Sequence, residues 1–188
     1  LSTIAPALVK PATRLLSEDY TVIEVTRASS DDGLTINAPQ LVERYKQQIA
    51  QVVRGEPSPL SAAEQQEVMA ASMSYSPSDL VVVGWTAALV YDPDAEGADL
   101  MRQLLEYANT QLVEFRHYDE TLTSVLEQVY GMLDRHPGVL QRWRMARQAE
   151  KLNTIRLDVI ELSERTDNAI KFLSDMYYAR AYKLAAAR

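Results

Sequence analysis

An apolar seam at heptad spacing runs through the second half of the chain in two long segments. The first seam is Leu105, Ala108, Leu112, Phe115, Asp119, Leu122, Leu126, Val129 and Leu133; the second is Met145, Gln148, Leu152, Ile155, Val159, Leu162, Thr166, Ala169, Leu173 and Met176. Steps alternating between three and four residues lay side chains along one stripe of a helix and belong to helices that pair. Asp134-Arg135-His136-Pro137-Gly138 separates the segments with residues that end one helix and begin another. The pattern therefore predicts an antiparallel, coiled-coil-like hairpin of two helices. At 1.5 Å per residue, helices over 95–134 and 138–188 would run about 60 Å and about 75 Å. Apolar stripes of that length would aggregate if exposed, so burial against the partner helix or another copy is expected, and with it a homo-oligomer. Asp119, Gln148 and Thr166 interrupt the seams, and polar residues at such positions set register and partner number.

The first half follows other periods. Tyr20, Val22, Ile23 and Val25 form a β-branched run over 20–26, closed by Ser29-Ser30-Asp31-Asp32-Gly33, which predicts a strand and a turn. Asn37 caps a helix with Pro39 in its first turn; Leu41, Tyr45, Ile49 and Val52 make its apolar face, and Arg54-Gly55 ends it. Ser61 and Glu64 form a capping box for a shorter helix reaching about Ser72. Residues 80–91, Leu-Val-Val-Val-Gly-Trp-Thr-Ala-Ala-Leu-Val-Tyr, are too β-branched and too unpatterned for an amphipathic helix, so strand structure buried on both faces is expected. Gly84 is either a bulge or the corner between two short strands. Asp92-Pro93-Asp94 stops this run, and Asp94, Glu96 and Asp99 suit the first turn of the following helix. The expected fold is α+β: a small N-terminal α/β domain over 1–92 with a few-stranded sheet, and over 93–188 the long hairpin, projecting rigidly without a linker.

Composition narrows the function. Among 188 residues, 47% hydrophobic, there is no cysteine, which excludes disulfides, thiol nucleophiles and thiolate metal sites. The net charge of -7 is uneven: residues 1–94 carry 6 basic and 12 acidic side chains, residues 95–188 carry 13 and 14. That balance disfavours non-specific nucleic-acid binding by the first half. No apolar run approaches the length of a membrane span, and the start has no basic leader. The chain opens without Met and reaches Arg188 with its helical pattern uninterrupted, so the natural ends are expected to lie beyond both.

Candidate chemistry is sparse. His117 has Glu114 and Glu120 three residues to either side, and Asp158, Glu161, Glu164 and Asp167 recur at every third position. Both patterns are set below solvated helix faces, the carboxylate row because Arg156, Arg165 and Lys171 offset it. No metal or cofactor is expected. The glycines form no phosphate loop or dinucleotide fingerprint, and no serine has a recognisable base partner. Arg135, Arg142, Trp143, Arg144, Arg147 and Lys151 gather with His136 around the hairpin turn, a basic tip bearing an aromatic that could meet phosphate on RNA, a ribosome or a membrane surface.

Leu104-Leu105-Glu106-Tyr107-Ala108-Asn109-Thr110-Gln111-Leu112-Val113-Glu114-Phe115, after an apolar strand, resembles the strand-to-helix passage of the required-for-meiotic-nuclear-division family, a group of unknown molecular function. Arg156 to Leu162, onward to Tyr177-Tyr178-Ala179-Arg180-Ala181-Tyr182, is similar in placement to that family's penultimate helical region. The overlap covers the C-terminal half of the chain, and Asp167-Asn168-Ala169-Ile170-Lys171-Phe172 stands where the family carries its Asp-Thr-Pro and Phe-Trp signature, as in a divergent bacterial relative. The resemblance implies an α/β domain, long helices and a membrane helix beyond Arg188, with a scaffold or membrane-tethering role and no catalytic residues to carry over. Two readings result. One is a non-enzymatic, self-associating interaction module, cytoplasmic and anchored by a segment beyond Arg188. The other is an enzyme or small-ligand binder with a pocket at the sheet-hairpin junction, where Trp85, Tyr107, Glu114 and Arg116 converge.

Overall fold

A computed structural model describes residues 16–133, 139–172 and 176–187. Strand β1 is Thr21–Val25, followed by helices α1 (Ala38–Arg54) and α2 (Ala62–Ala70); strands β2 (Ser72–Met73), β3 (Leu80–Val83) and β4 (Ala87–Tyr91) complete a four-stranded sheet, and helices α3 (Ala95–Leu133), α4 (Val139–Phe172) and α5 (Met176–Ala186) follow. The fold is α+β. The sheet order is β1-β4-β3-β2, with β1 parallel to β4 and the other neighbours antiparallel.

The short elements form where their end residues dictate. Asn37 and Gln40 exchange side-chain and backbone hydrogen bonds, a full capping box at the start of α1, and Gly55 ends the helix in the left-handed conformation at φ 70°. Ser61 Oγ accepts from the Glu64 amide to cap α2, whereas the Glu64 carboxylate turns to Arg54. Two expectations are corrected. Tyr45 leaves helical geometry at φ −122°, ψ 17°, which shifts the phase of α1 so that Ala38, Leu41, Ile49, Ala50 and Val53 face inward while Tyr45 and Val52 are exposed. The helix expected to reach Ser72 stops at Ala70, because Ser72 and Met73 pair with Val82 and Val81 as an edge strand.

Gly84 is the corner between two strands. Its amide donates to the Ala87 carbonyl at 2.9 Å, and its backbone packs so closely on α1 that a Cβ would lie 2.5 Å from Val53 Cγ1. Every residue of β3 and β4 is buried. Alternation divides them between two cores. Leu80, Val82, Leu89 and Tyr91 pack with Ile36, Leu41, Ile49, Val53 and Val68, so α1 and α2 cover one face. Val81, Val83, Ala88 and Val90 pack with Ala98, Met101, Leu105 and Ala108 of α3 and with Ala181, Tyr182 and Ala185 of α5, which cover the other. The second core thus crosses residue 92, at which the sequence pattern divides the chain, and the start of α3 lies on the sheet.

The C-terminal pattern also departs from one continuous helix. Gln111 hydrogen-bonds both Thr166 of α4 and Tyr182 of α5, residues that one straight helix would hold about 24 Å apart. Elements α4 and α5 are therefore separate helices; residues 173–175 between them, and 134–138 where the sequence predicts a turn, lie outside the described residues. On α4 the described positions of the predicted seam lie inward: Ile155 and Leu162 are buried, and Met145, Gln148, Leu152, Val159 and Thr166 are half-buried, while the Ala169 side chain and Leu173 lie outside the described residues. Met176, placed on that seam by periodicity, is exposed on α5. On α3 the predicted seam is only partly inside: Leu105 and Ala108 are buried and Leu112 and Val129 half-buried, but Asp119 and the large Phe115, Leu122 and Leu126 are exposed, while Gln111 and Val125 are buried and Tyr118 and Thr121 half-buried beside it. Helix α4 lies on the side of α3 next to the apolar stripe, where Thr166 accepts from Gln111 and Gln148 donates to Gln128.

Gly84→Ala is expected to lower the unfolding free energy by about 1–3 kcal/mol, because the added carbon meets Val53 side chain and backbone at once. Denaturant unfolding reads this directly, and unchanged stability would contradict the close packing of the corner on α1.

Candidate functional site

The residues expected to converge at a junction pocket have separate surroundings. Trp85 sits on the β3-β4 turn beside a cavity of about 330 Å³, which Arg54, Glu67, Val68, Val83 and Leu184 also line. Tyr107 stacks at a tilt on Tyr182, with ring centroids 5.9 Å apart, and accepts from Gln111 Nε2 at 2.9 Å. Arg116 pairs with Glu18, ahead of β1, and Glu114 is exposed on α3. A second cavity, about 100 Å³ between α3, α4 and α5, is lined by Gln111, Leu112, Phe115, Thr166, Tyr182 and Ala185. Neither cavity joins Trp85 to Tyr107, Glu114 or Arg116.

Of the basic tip, Trp143, Arg147 and Lys151 are exposed on α4. Arg135 and His136, and the side chains of Arg142 and Arg144, lie outside the described residues. His117 packs its ring beside Tyr118 at 6.0 Å. In the carboxylate row Glu161 pairs with Arg165. Among the described residues no group of three or more His, Asp or Glu is placed to hold a metal ion, and no helix is long and apolar enough to cross a membrane.

Two buried polar groups that pattern reading missed organise the second core. Asp79, at the start of β3, accepts from the Tyr75 amide at 2.8 Å, the Ser76 amide at 2.6 Å, Ser76 Oγ at 2.8 Å and Tyr177 Oη at 2.9 Å. Burial raises its pKa, but these hydrogen bonds outweigh burial and hold the carboxyl below its ordinary value. Burial, then the bond to Asp79, pushes the Tyr177 hydroxyl far above the usual phenol range. Tyr177 also packs on Tyr75 at 5.4 Å and Tyr178 at 5.3 Å, so a charged acceptor and three aromatic rings fasten α5 to the β2-β3 connection. Asp92 is raised, by burial and by the nearby charges of Asp79 and Asp94. The second group is Gln111, which donates to Tyr107 and to Thr166 Oγ1 at 2.6 Å and accepts from Tyr182 Oη, joining three helices at one amide. Thr166 was visible as a polar break in a seam; Gln111 was hidden because it adjoins Leu112, the expected seam residue. The signal for Asp79 was its Ser-Pro-Ser-Asp setting, a turn sequence with an acid at its end.

The family described as uncharacterized protein MJ0711, N-terminal domain, matches residues 1–99, which take in the sheet, α1, α2 and the start of α3. The chain belongs to this family. No curated protein and no solved structure matches it. The match stops at 99 and does not reach the residues, from 104 onward, on which the expected resemblance to the required-for-meiotic-nuclear-division family rests.

Asp79→Asn keeps the shape of the side chain and removes the charge that its donors address; the expected loss is about 1–3 kcal/mol near neutral pH. Because the folded pKa lies below the unfolded one, this contribution is complete above pH about 4 and disappears as pH falls through the folded value. Denaturation of wild type and variant across pH should show their difference shrinking in acid, and a difference independent of pH would contradict the role given to the carboxylate.

Proposed function

We propose that this chain is a non-enzymatic interaction module that self-associates through α3 and α4, read as an antiparallel hairpin. The pairing is supported by two contacts: as the chain climbs α3 from Gln111 to Gln128, its hydrogen-bond partners on α4 descend from Thr166 to Gln148. The observation that carries the reading is the stripe of Phe115, Leu122, Leu126 and Tyr130, each at least a third exposed. At 100° per residue these four fall within an arc of about 80°. Met101, Leu104, Leu105 and Ala108, buried against the sheet and α5, lie on the same side of α3. One apolar face is therefore covered along its first half and bare along its second. A second copy presenting the same stripe covers it by a symmetric packing of two hairpins into a four-helix arrangement, the usual way in which paired helices remove such a face from water.

A second reading rests on Trp143, which is 70% exposed, with Arg147 and Lys151 following at four-residue steps on one side of α4. An aromatic flanked by cations suits an anionic partner such as RNA or a lipid surface. Ionic strength separates the two readings, since apolar association survives salt and charge contacts do not.

Light scattering after size exclusion, at low and high salt, is expected to find a dimer or larger species at both. The paired substitutions Leu122→Glu and Leu126→Glu should give a monomer with unchanged helix content by circular dichroism. A wild-type monomer at every concentration would overturn self-association.

A further inference from the structure

Trp85 projects from the tight β3-β4 corner with 70% of its surface in solvent, above the open cavity of about 330 Å³. Val68, Val83 and Leu184 give that cavity an apolar wall. Its rim is negative. Helices α1 and α2 both end there, at Arg54 and at Ala70 with its cap Ala71, and the C-terminal end of a helix carries partial negative charge. Glu64 and Glu67 share a single guanidinium nitrogen of Arg54, with Glu67 at 3.0 Å, so two carboxylates face one cation and one negative charge is left over. Glu67 remains well exposed on the cavity side. An indole face, a surplus carboxylate and an apolar wall repel an anion and suit a cation that brings hydrocarbon with it.

We propose that this cavity binds an organic cation, an ammonium group with an apolar body, seated over Trp85 and against Glu67. The volume matches a small ligand or one side chain. All of its lining except Leu184 and Ala187 comes from the acidic N-terminal half, whose field draws cations toward it. The site is separate from the α3 stripe and does not depend on self-association. A free ammonium compound and a methylated lysine side chain on a partner present the same chemistry.

Isothermal titration of the full chain with choline tests it, beside the uncharged carbon isostere dimethylbutanol and a short peptide bearing trimethyllysine. Choline or the peptide is expected to bind saturably, with a Kd on the order of 1 mM, and the alcohol not at all. Glu67→Gln and Trp85→Leu change exposed side chains and should each weaken binding about fivefold. Tighter binding of the peptide assigns the site to a partner's side chain, tighter binding of choline to a free ammonium ion. Absence of saturable binding by either, equal binding of the alcohol, or either variant at wild-type affinity overturns the proposal.

Discussion

Strands β3 and β4 are apolar on both faces, and a sheet of that kind is stable only between two layers. The rest of the structure is arranged to meet that demand. Helices α1 and α2, beside the sheet in sequence, close one face; the other is closed by α3 and by α5, which reaches it from the far end of the chain. The long helices are therefore built into the core that makes the N-terminal half stable. Asp79 and Gln111 hold this arrangement because each is a buried polar group whose partners come from distant segments, and exchanging those partners would leave charge or amide unsatisfied.

That layering also locates the surfaces left for function. Along α3 the apolar side is filled by the sheet and α5 through Ala108, whereas Phe115, Leu122, Leu126 and Tyr130 farther along it are exposed, so the fold ends before the pattern does. At the β3-β4 corner, Gly84 is drawn tight onto Val53, and the adjoining Trp85 is thrown outward where the ends of α1 and α2 meet. Both exposed features arise where a tightly packed element stops.

Elements set by local chemistry were legible from residues alone. The Asn37 cap, the Gly55 stop, strand β1 and the two-faced burial of 80–83 and 87–91, though not of the exposed Trp85 and Thr86 between them, follow from side-chain preferences within a few positions. What escaped was decided at long range. Tyr45 bends α1 out of phase, Ser72 joins a strand because Val82 lies beside it, and α4 lies next to the apolar stripe of α3, with Thr166 on Gln111 and Gln148 on Gln128. The return of α5 onto the sheet was invisible to a continuous helical period, since small residues such as Ala181 and Ala185 that allow close approach look the same on any helix. Of the candidate site residues, Trp85 was singled out by type, but its neighbours Arg54 and Glu67 come from α1 and α2, elements assigned to the fold alone.

Helix α5 shares its core with β3 and β4 and is expected to unfold with them as one cooperative unit. Native-state hydrogen exchange of the full chain tests it most directly. Amides of Ala181, Tyr182 and Ala185 are expected to exchange with the same opening free energy as those of Val82 and Val90, through global unfolding. Rapid exchange along α5 while β3 and β4 stay protected would contradict it and make the C-terminal helix an appendage of a sheet that is stable without it.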